Sequence, residues 1–207
     1  MQPLIDHWRT CFGLLRLRVP ADEEFDRLTG RYSEPHRAYH TIQHIEECFR
    51  EFEAVRGLAS SPSAVGLALF FHDAIYDTHA HDNEEESAGL ARQVLAGVGA
   101  EETLQSDVRD LILATRHAAM PETNDQKLVV DVDLSILGAD PERFDEYERQ
   151  VRQEYSWVEE TLFRAVRGNI LREFLARPAI YSTPRFRDRL ERSARENLKR
   201  SMAALTA

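Results

Sequence analysis

Apolar residues recur every three or four positions along most of the chain, which places them on one face of an α-helix. The first helix is predicted within residues 4–17, where Trp8, Cys11 and Leu15 share this spacing. The same pattern predicts further helices near residues 101–116, 142–155, 157–177 and 184–205. The fold class predicted from this pattern is all-α.

Polar residues that suit the first turn of a helix mark where several helices begin. Ser, Thr, Asp and Asn side chains accept hydrogen bonds from free N–H groups at a helix start, and Pro fits its first position. Candidate starts of this kind lie at Asp22, Thr41, Ser61-Pro62, Asn83 and Asp140-Pro141. Gly97 and Gly99 are predicted to close the helix that begins near Asn83.

Two segments depart from this one-sided spacing. Residues 62–71 are apolar nearly all round, which predicts a central helix that is buried on every side. Residues 128–137 contain the run Leu-Val-Val-Asp-Val-Asp, whose β-branched residues also suit a short strand. This second segment is therefore ambiguous between helix and strand.

Length, composition and charge limit the compartment and the classes of binding partner that we expect for this chain. The 207 residues are most simply one domain with a substantial core. The chain lacks a long apolar run and the basic start of a signal peptide, so we expect a cytoplasmic protein without a membrane partner. Cys11 and Cys48 are expected to be reduced core residues. The net charge of -10 argues against binding to duplex nucleic acid, but a small phosphorylated substrate stays compatible if a metal supplies positive charge.

The first candidate for a chemical role is the doublet His72-Asp73, which follows an apolar run at residues 66–71. A histidine and a carboxylate are costly to bury unless a partner satisfies them. A divalent cation does so, because imidazole nitrogen and carboxylate oxygen are both good metal ligands. Two further residues of these types stand beside apolar positions, His44 upstream and Asp133 downstream.

This order of residues resembles the HD superfamily of metal-dependent phosphohydrolases, which takes its name from the His-Asp doublet. More narrowly, the chain resembles the bacterial group described as predicted metal-dependent HD phosphohydrolases. The matching segments are 37–44, 71–77, 83–88, 131–138 and 179–181. The resemblance implies an HD-domain helical bundle with a buried central metal site, a core at residues 37–140 and C-terminal helices at 141–207 packed on it. It also implies a helix at 128–137.

The resemblance implies a set of ligands for one divalent metal ion, namely His44, His72, Asp73 and Asp133. The ion can be Mn, Fe, Co, Ni, Zn or Mg, because two imidazoles and two carboxylates suit each of them. Asp131 competes for the last position, and Asp133 is preferred because the closing Asp of the superfamily often is the second of an Asp-x-Asp pair. Asp131 then bonds a ligand imidazole or makes a local helix contact.

Two acids near the doublet, Asp77 and Glu84, are candidate catalytic residues. A carboxyl group there would orient the attacking water or protonate the leaving oxygen. Glu84 also falls in the Asn-Glu-x-x-Ser-Ala pattern of the group that the chain resembles. The alternative is that Asp77 is an ordinary loop acid and Glu84 an ordinary acid of a first helical turn.

The candidate substrate-binding residues are Arg37, His40, Tyr76, Arg116 and His117. His40 lies one helical turn before a predicted ligand, and Tyr76 lies one turn beyond the doublet. Other interpretations stay open, because His40 could also be a metal ligand or a surface histidine, arginines are often surface residues, and His117 suits a helix C-terminus. His79 and His81 fall in a polar loop and are expected to be solvated.

The expected activity is hydrolysis of a small phosphate ester by metal-activated water, with a nucleotide as a candidate substrate by analogy. One alternative is a di-iron oxygenase of the HD fold, which needs further histidine ligands such as His117. Another alternative is a non-catalytic regulatory module that binds metal or nucleotide. The long amphipathic helices near the C-terminus also offer a surface for a homodimer.

Overall fold

The structure is a computed structural model that describes residues 3–20 and 22–206. These residues form ten α-helices and no β-strand, which confirms the all-α prediction. The chain divides into two units, Met1–Asp133 and Leu134–Ala207. The single domain expected from chain length stays a prediction.

The first unit contains the α-helices α1 (Leu4–Leu14), α2 (Asp22–Arg31), α3 (Ile42–Glu53), α4 (Pro62–Phe71), α5 (Asn83–Gly97), α6 (Glu102–Ala114) and α7 (Asn124–Asp133). A 3-10 turn at Arg56–Leu58 precedes α4. The second unit contains a 3-10 helix at Leu134–Gly138, then α8 (Pro141–Glu154), α9 (Glu160–Ala176) and α10 (Pro184–Thr206). No helix in the described ranges has the length and apolar character needed to cross a membrane.

Helix α4 is the centre of the first unit, as its all-round apolar sequence predicts. Every residue from Ser63 to Phe71 is buried, and α1, α3, α5, α6 and α7 all pack against it. The approach of α1 is especially close at Gly66, where an added Cβ would lie 2.6 Å from the Cys11 Sγ. A side chain at this position would therefore force the two helices apart.

The start of α4 is held by a distant residue. Ser61 is the N-cap by position, but its side chain makes no capping hydrogen bond. The carboxylate of Asp125 on α7 instead accepts the N–H groups of Ser60 at 2.7 Å and Ser61 at 2.8 Å. This carboxylate fixes α7 to the beginning of α4, whose opposite end carries the His-Asp doublet.

The predicted helix starts at Thr41 and Asp140 are confirmed in position, whereas the capping bonds expected there and the cap at Asn83 need correction. Thr41 and Asp140 occupy N-cap positions, but neither side chain makes a capping bond. Asn83 is the first residue of α5 rather than its cap, because its side-chain amide pairs with the backbone N–H and C=O of Asp77. Gly99, with φ of +81°, follows α5 in the left-handed region that glycine tolerates.

The ambiguous segment 128–137 is helical. Helix α7 runs to Asp133 and the 3-10 helix begins at Leu134, so the strand alternative is wrong. In the second unit, α10 packs closely on this 3-10 helix, since a Cβ on Gly138 would lie 2.6 Å from the Leu190 Cβ. Burial of the apolar run against neighbouring helices therefore outweighs its β-propensity.

Candidate metal centre

The doublet lies at the C-terminal end of α4. The backbone N–H of His72 still donates to Ala68 at 2.9 Å, so this residue continues the helical turn. Its ring Nδ1 lies 3.0 Å from the carbonyl oxygen of Leu69. Because a carbonyl can only accept, Nδ1 carries the hydrogen and Nε2 is the atom left to face outward.

The other three predicted ligands lie close to the outward-facing Nε2 of His72. The His44 Nε2 lies 3.1 Å from it, the Asp73 Oδ2 3.0 Å and the Asp133 Oδ1 3.6 Å. The His44 Nε2 in turn lies 3.5 Å from the Asp73 Oδ2 and 3.4 Å from the Asp133 Oδ1. We call these four residues the His/Asp cluster, and all of them belong to the first unit.

These separations fit donor atoms around one small cation. Ligands about 2.0–2.1 Å from a shared divalent ion lie roughly 2.8–3.4 Å apart in octahedral or tetrahedral geometry. The nitrogen–nitrogen and nitrogen–oxygen separations in the His/Asp cluster run from 3.0 to 3.6 Å. Two nitrogens and two carboxylates also have the chemistry of a divalent-metal site. The residues present therefore fit a metal ion.

Neighbouring charges and hydrogen bonds shift the pKa values of Asp73, Asp133 and His72 in the His/Asp cluster. Burial alone would raise the pKa of Asp73, but the positive charges of His72 and His40 hold it below its ordinary value. Burial opposes the shift at Asp133 as well, and hydrogen bonds from His117, His44 and His72 lower its pKa. For His72 burial favours the neutral ring, yet the charge of Asp73 raises its pKa well above 6.5. Without a cation, the two carboxylates therefore favour the protonated form of His72.

Cys48 is a member of the site that the sequence analysis missed. It follows His44 by one turn on α3, and its Sγ lies 3.7 Å from the His44 Nε2. Donor atoms of Cys48, His44, His72 and Asp133 all lie within 4.8 Å of one another. Both cysteines are free and buried, as expected, and the His-x-x-x-Cys spacing on one helix was the available signal.

His117 contacts the cluster from the segment after α6. Its Nε2 lies 3.0 Å from the Asp133 Oδ2, the carboxylate oxygen that faces away from His44 and His72. The backbone of His117 has φ of +57°, a left-handed conformation that is uncommon outside glycine. The side chain therefore orients Asp133 rather than capping the end of α6.

Asp131 is fully buried on α7, and the group of donor atoms that lie within 4.8 Å of one another contains Asp133 but neither Asp131 nor Asp73. The two acids of the Asp-x-Asp pair point in different directions because they lie two positions apart on a helix, a rotation of about 200°. Of the two candidates for the last ligand, the structure brings Asp133 to the cluster.

Arg37 has a different role from the phosphate contact expected from the sequence. Its side chain is fully buried, and its guanidinium donates to the carbonyl oxygens of Asp73 at 2.7 Å, Ala74 at 3.1 Å and His40 at 3.1 Å. The Nε–H group donates to Glu34 at 3.1 Å. Arg37 thus joins the backbone after the doublet to the segment before α3.

His40 and Tyr76 lie together at the rim of the site. Their rings stack with centroids 4.1 Å apart, and the His40 ring lies 6.0 Å from the His44 ring. Both residues are partly exposed. Their position allows contact with a ligand that approaches the cluster from solvent.

The remaining predicted site residues have partners outside the His/Asp cluster. The Asp77 carboxylate accepts the His79 N–H at 2.9 Å, which closes the loop between α4 and α5. Glu84 lies 3.6 Å from the Nε of Arg116, which also bonds Glu85. Within residues 3–20 and 22–206, neither Asp77 nor Glu84 is hydrogen-bonded to a member of the His/Asp cluster.

Comparison with known proteins yields no relative. No protein-family model matches the chain, and no curated protein or solved structure matches it either. The resemblance to the HD superfamily therefore rests on the segments quoted above, and the chemistry rests on the geometry of the His/Asp cluster.

Proposed function

We propose that this protein is a metal-dependent phosphohydrolase of the HD superfamily that acts on a small phosphate ester, with nucleotides as the first candidates. The observation that carries the proposal is the convergence of His44, His72, Asp73 and Asp133 at 3.0–3.6 Å. Four donors of this kind hold a divalent ion and leave coordination positions for water and substrate. A bound divalent ion lowers the pKa of water and offsets charge on phosphoryl oxygens.

The surrounding residues support this activity by position. His117 holds the Oδ2 of Asp133, which leaves its Oδ1 directed to the cluster. Arg37 fixes the carbonyl of Asp73 and so limits movement of the doublet. His40 and Tyr76 at the rim provide a contact for the phosphate ester, with His40 adding positive charge when it is protonated.

Two expected catalytic acids receive no chemical step in this proposal. The Asp77 carboxylate accepts a backbone N–H of its own loop, and Glu84 is paired with Arg116. Each group would have to leave these partners before it could transfer a proton to a substrate. The proposal therefore needs only the cluster, His117, His40 and Tyr76.

The test is a hydrolysis screen on the full chain with Mn, Co, Ni, Mg or Zn added to metal-free protein. Phosphomonoesters, phosphodiesters and nucleotides serve as substrates, and inorganic phosphate or the released alcohol is measured. We expect turnover of at least one substrate class by the wild type and none by Asp73→Ala. The matched control is His81→Ala, an exposed loop histidine, which should keep full activity.

Two results would overturn the proposal. Bound metal without hydrolysis of any phosphate ester would indicate a binding module. Two irons per chain without hydrolysis would indicate oxygenase chemistry, with His117 as an added ligand.

A further inference from the structure

Next to the His/Asp cluster lies one donor that the proposed function does not use, the thiol of Cys48. This side chain is 1% exposed and lies on the same face of α3 as His44. Its Sγ is 3.8 Å from the Nδ1 and 3.7 Å from the Nε2 of that histidine. The thiol therefore faces the metal-binding donors rather than an apolar neighbour alone.

The distance suits a shared ion. A metal–sulfur bond of about 2.3 Å and a metal–nitrogen bond of about 2.0–2.1 Å place sulfur roughly 3.1–3.6 Å from the nitrogen. The observed 3.7 Å between Cys48 Sγ and His44 Nε2 is about 0.1 Å longer than that range. Since donor atoms of the whole group lie within 4.8 Å of one another, binding of one ion would draw donors at that limit together by roughly 1 Å.

Cys11 provides an internal comparison. It is as buried as Cys48, but its Sγ lies against Gly66, where α1 meets α4. Cys48 lies instead within 4.8 Å of donor atoms on His44, His72 and Asp133. Two cysteines with the same burial therefore differ in their neighbours, and only Cys48 is part of a group of metal-binding side chains among the described residues.

We propose that Cys48 is a metal ligand of this centre and makes it select a thiophilic divalent ion such as Zn, Co or Fe(II) over Mg or Mn. The inference rests on the metal site of the proposed function. On binding, the S–H proton passes to solvent and the sulfur electron pair forms the bond to the ion. Thiolate ligands favour softer ions, whereas Mg and Mn prefer oxygen donors.

The experiment adds Co(II) to the metal-free full chain and records the near-ultraviolet sulfur-to-cobalt charge-transfer band. We expect the band in the wild type and in Cys11→Ala, where Cys48 is the only cysteine. Cys48→Ala and Cys48→Ser should bind cobalt without this band. Competition between Zn and Mg should show that selectivity falls in both variants by at least the ~10–100-fold that loss of an outer-shell contact costs.

The outcomes separate this inference from the proposed function. Cobalt bound to wild-type protein without the band overturns the role of Cys48, even if the protein hydrolyses phosphate esters. The band without any hydrolysis supports the role of Cys48 and counts against the phosphohydrolase. If a Cys48 variant fails to fold, the spectra of wild type and Cys11→Ala still decide the question.

Discussion

Each unit of the chain contains a cluster of charged side chains that is largely buried, and the two clusters differ in how their atoms are paired. In the second unit, Arg167 donates to the hydroxyl of Tyr147 at 2.8 Å and to both oxygens of Glu148. Ser201 donates to the same carboxylate at 2.8 Å. Each of these contacts in the Arg167 cluster joins a donor to an acceptor. The positive charge of Arg167 is also balanced by the negative charge of Glu148.

The His/Asp cluster of the first unit differs because several potential metal ligands converge there, in addition to their ion pairs. Two imidazole nitrogens lie 3.1 Å apart, and carboxylate oxygens from Asp73 and Asp133 approach both of them. Two ionised carboxylates face the cluster, and a divalent cation offsets both charges at once. Burial of charge is common to both regions, so the convergence of lone-pair donors is what distinguishes a metal site from a structural ion pair.

The largest expected effect is the loss of metal stabilisation in His72→Ala. For wild type, metal at 1,000 times its Kd should raise the free energy of unfolding by about 4 kcal/mol, because only the folded chain holds the site. The variant should show no metal-dependent change, since it lacks the central donor. Thermal unfolding with and without metal measures this. An equal metal-dependent shift in wild type and variant would contradict the assignment.

The corresponding change in the second unit is Arg167→Met. Removal of the guanidinium leaves Glu148 without its counter-charge and should lower the free energy of unfolding by roughly 3 kcal/mol. Burial alone would lower the pKa of Arg167, but Tyr147 and Glu148 raise it, which indicates a favourable arrangement. Urea unfolding measures the loss. Metal content should stay equal to that of wild type. A fall in bound metal would contradict the assignment of a purely structural role to the Arg167 cluster.

Arg37→Lys tests how firmly the doublet must be held. A lysine cannot reach the carbonyls of Asp73, Ala74 and His40 together, because its ammonium lacks the planar fork of arginine. Metal affinity should fall by about 10–100-fold. Arg92→Lys is the control, since Arg92 forms an exposed pair with Glu102. Calorimetric metal titration measures both affinities. Equal affinities in the two variants would mean that Arg37 is not needed to hold the doublet for metal binding.

The smallest effect expected is a pH dependence confined to the His/Asp cluster. The raised pKa of His72 stabilises metal-free protein below pH 6.5, and this contribution is lost as pH rises through the raised pKa. The lowered pKa values of Asp73 and Asp133 stabilise it above pH 3.8, and that contribution is lost as pH falls. The cluster therefore stabilises metal-free protein most between these values.

Metal affinity should change in the opposite direction, because the ion competes with the proton on the His72 Nε2. We expect a rise of about tenfold per pH unit until the raised pKa of His72 is passed. Metal titrations across pH measure the slope in wild type and in Arg167→Met, which should agree. A flat profile would mean that His72 binds no metal.

Much of the fold and four of the site residues follow from local sequence. The spacing of apolar residues predicts α1, α6 and the helices of the second unit, and the doublet directs attention to His44 and Asp133. These features depend on residues near in sequence or on a motif in a known order.

The features that were missed depend on distant contacts. Asp125 caps α4 from a position 64 residues beyond Ser61, and Arg37 binds carbonyls 36 and 37 residues away. Cys48 has the sequence signature of a core residue, and its spacing of one helical turn from His44 is a weak signal that many core residues share. Hydrogen bonds to backbone carbonyls leave no residue-type pattern, so sequence cannot reveal them.

The central claim is that the His/Asp cluster holds one divalent metal ion. Anomalous diffraction from crystals of the full chain grown with saturating cobalt tests it most directly. We expect a single strong peak about 2.0–2.3 Å from the His44 Nε2, the His72 Nε2 and the Asp133 Oδ1. No peak in the cluster at saturating cobalt, or a peak held only by residues outside it, would show that the cluster is not the metal site.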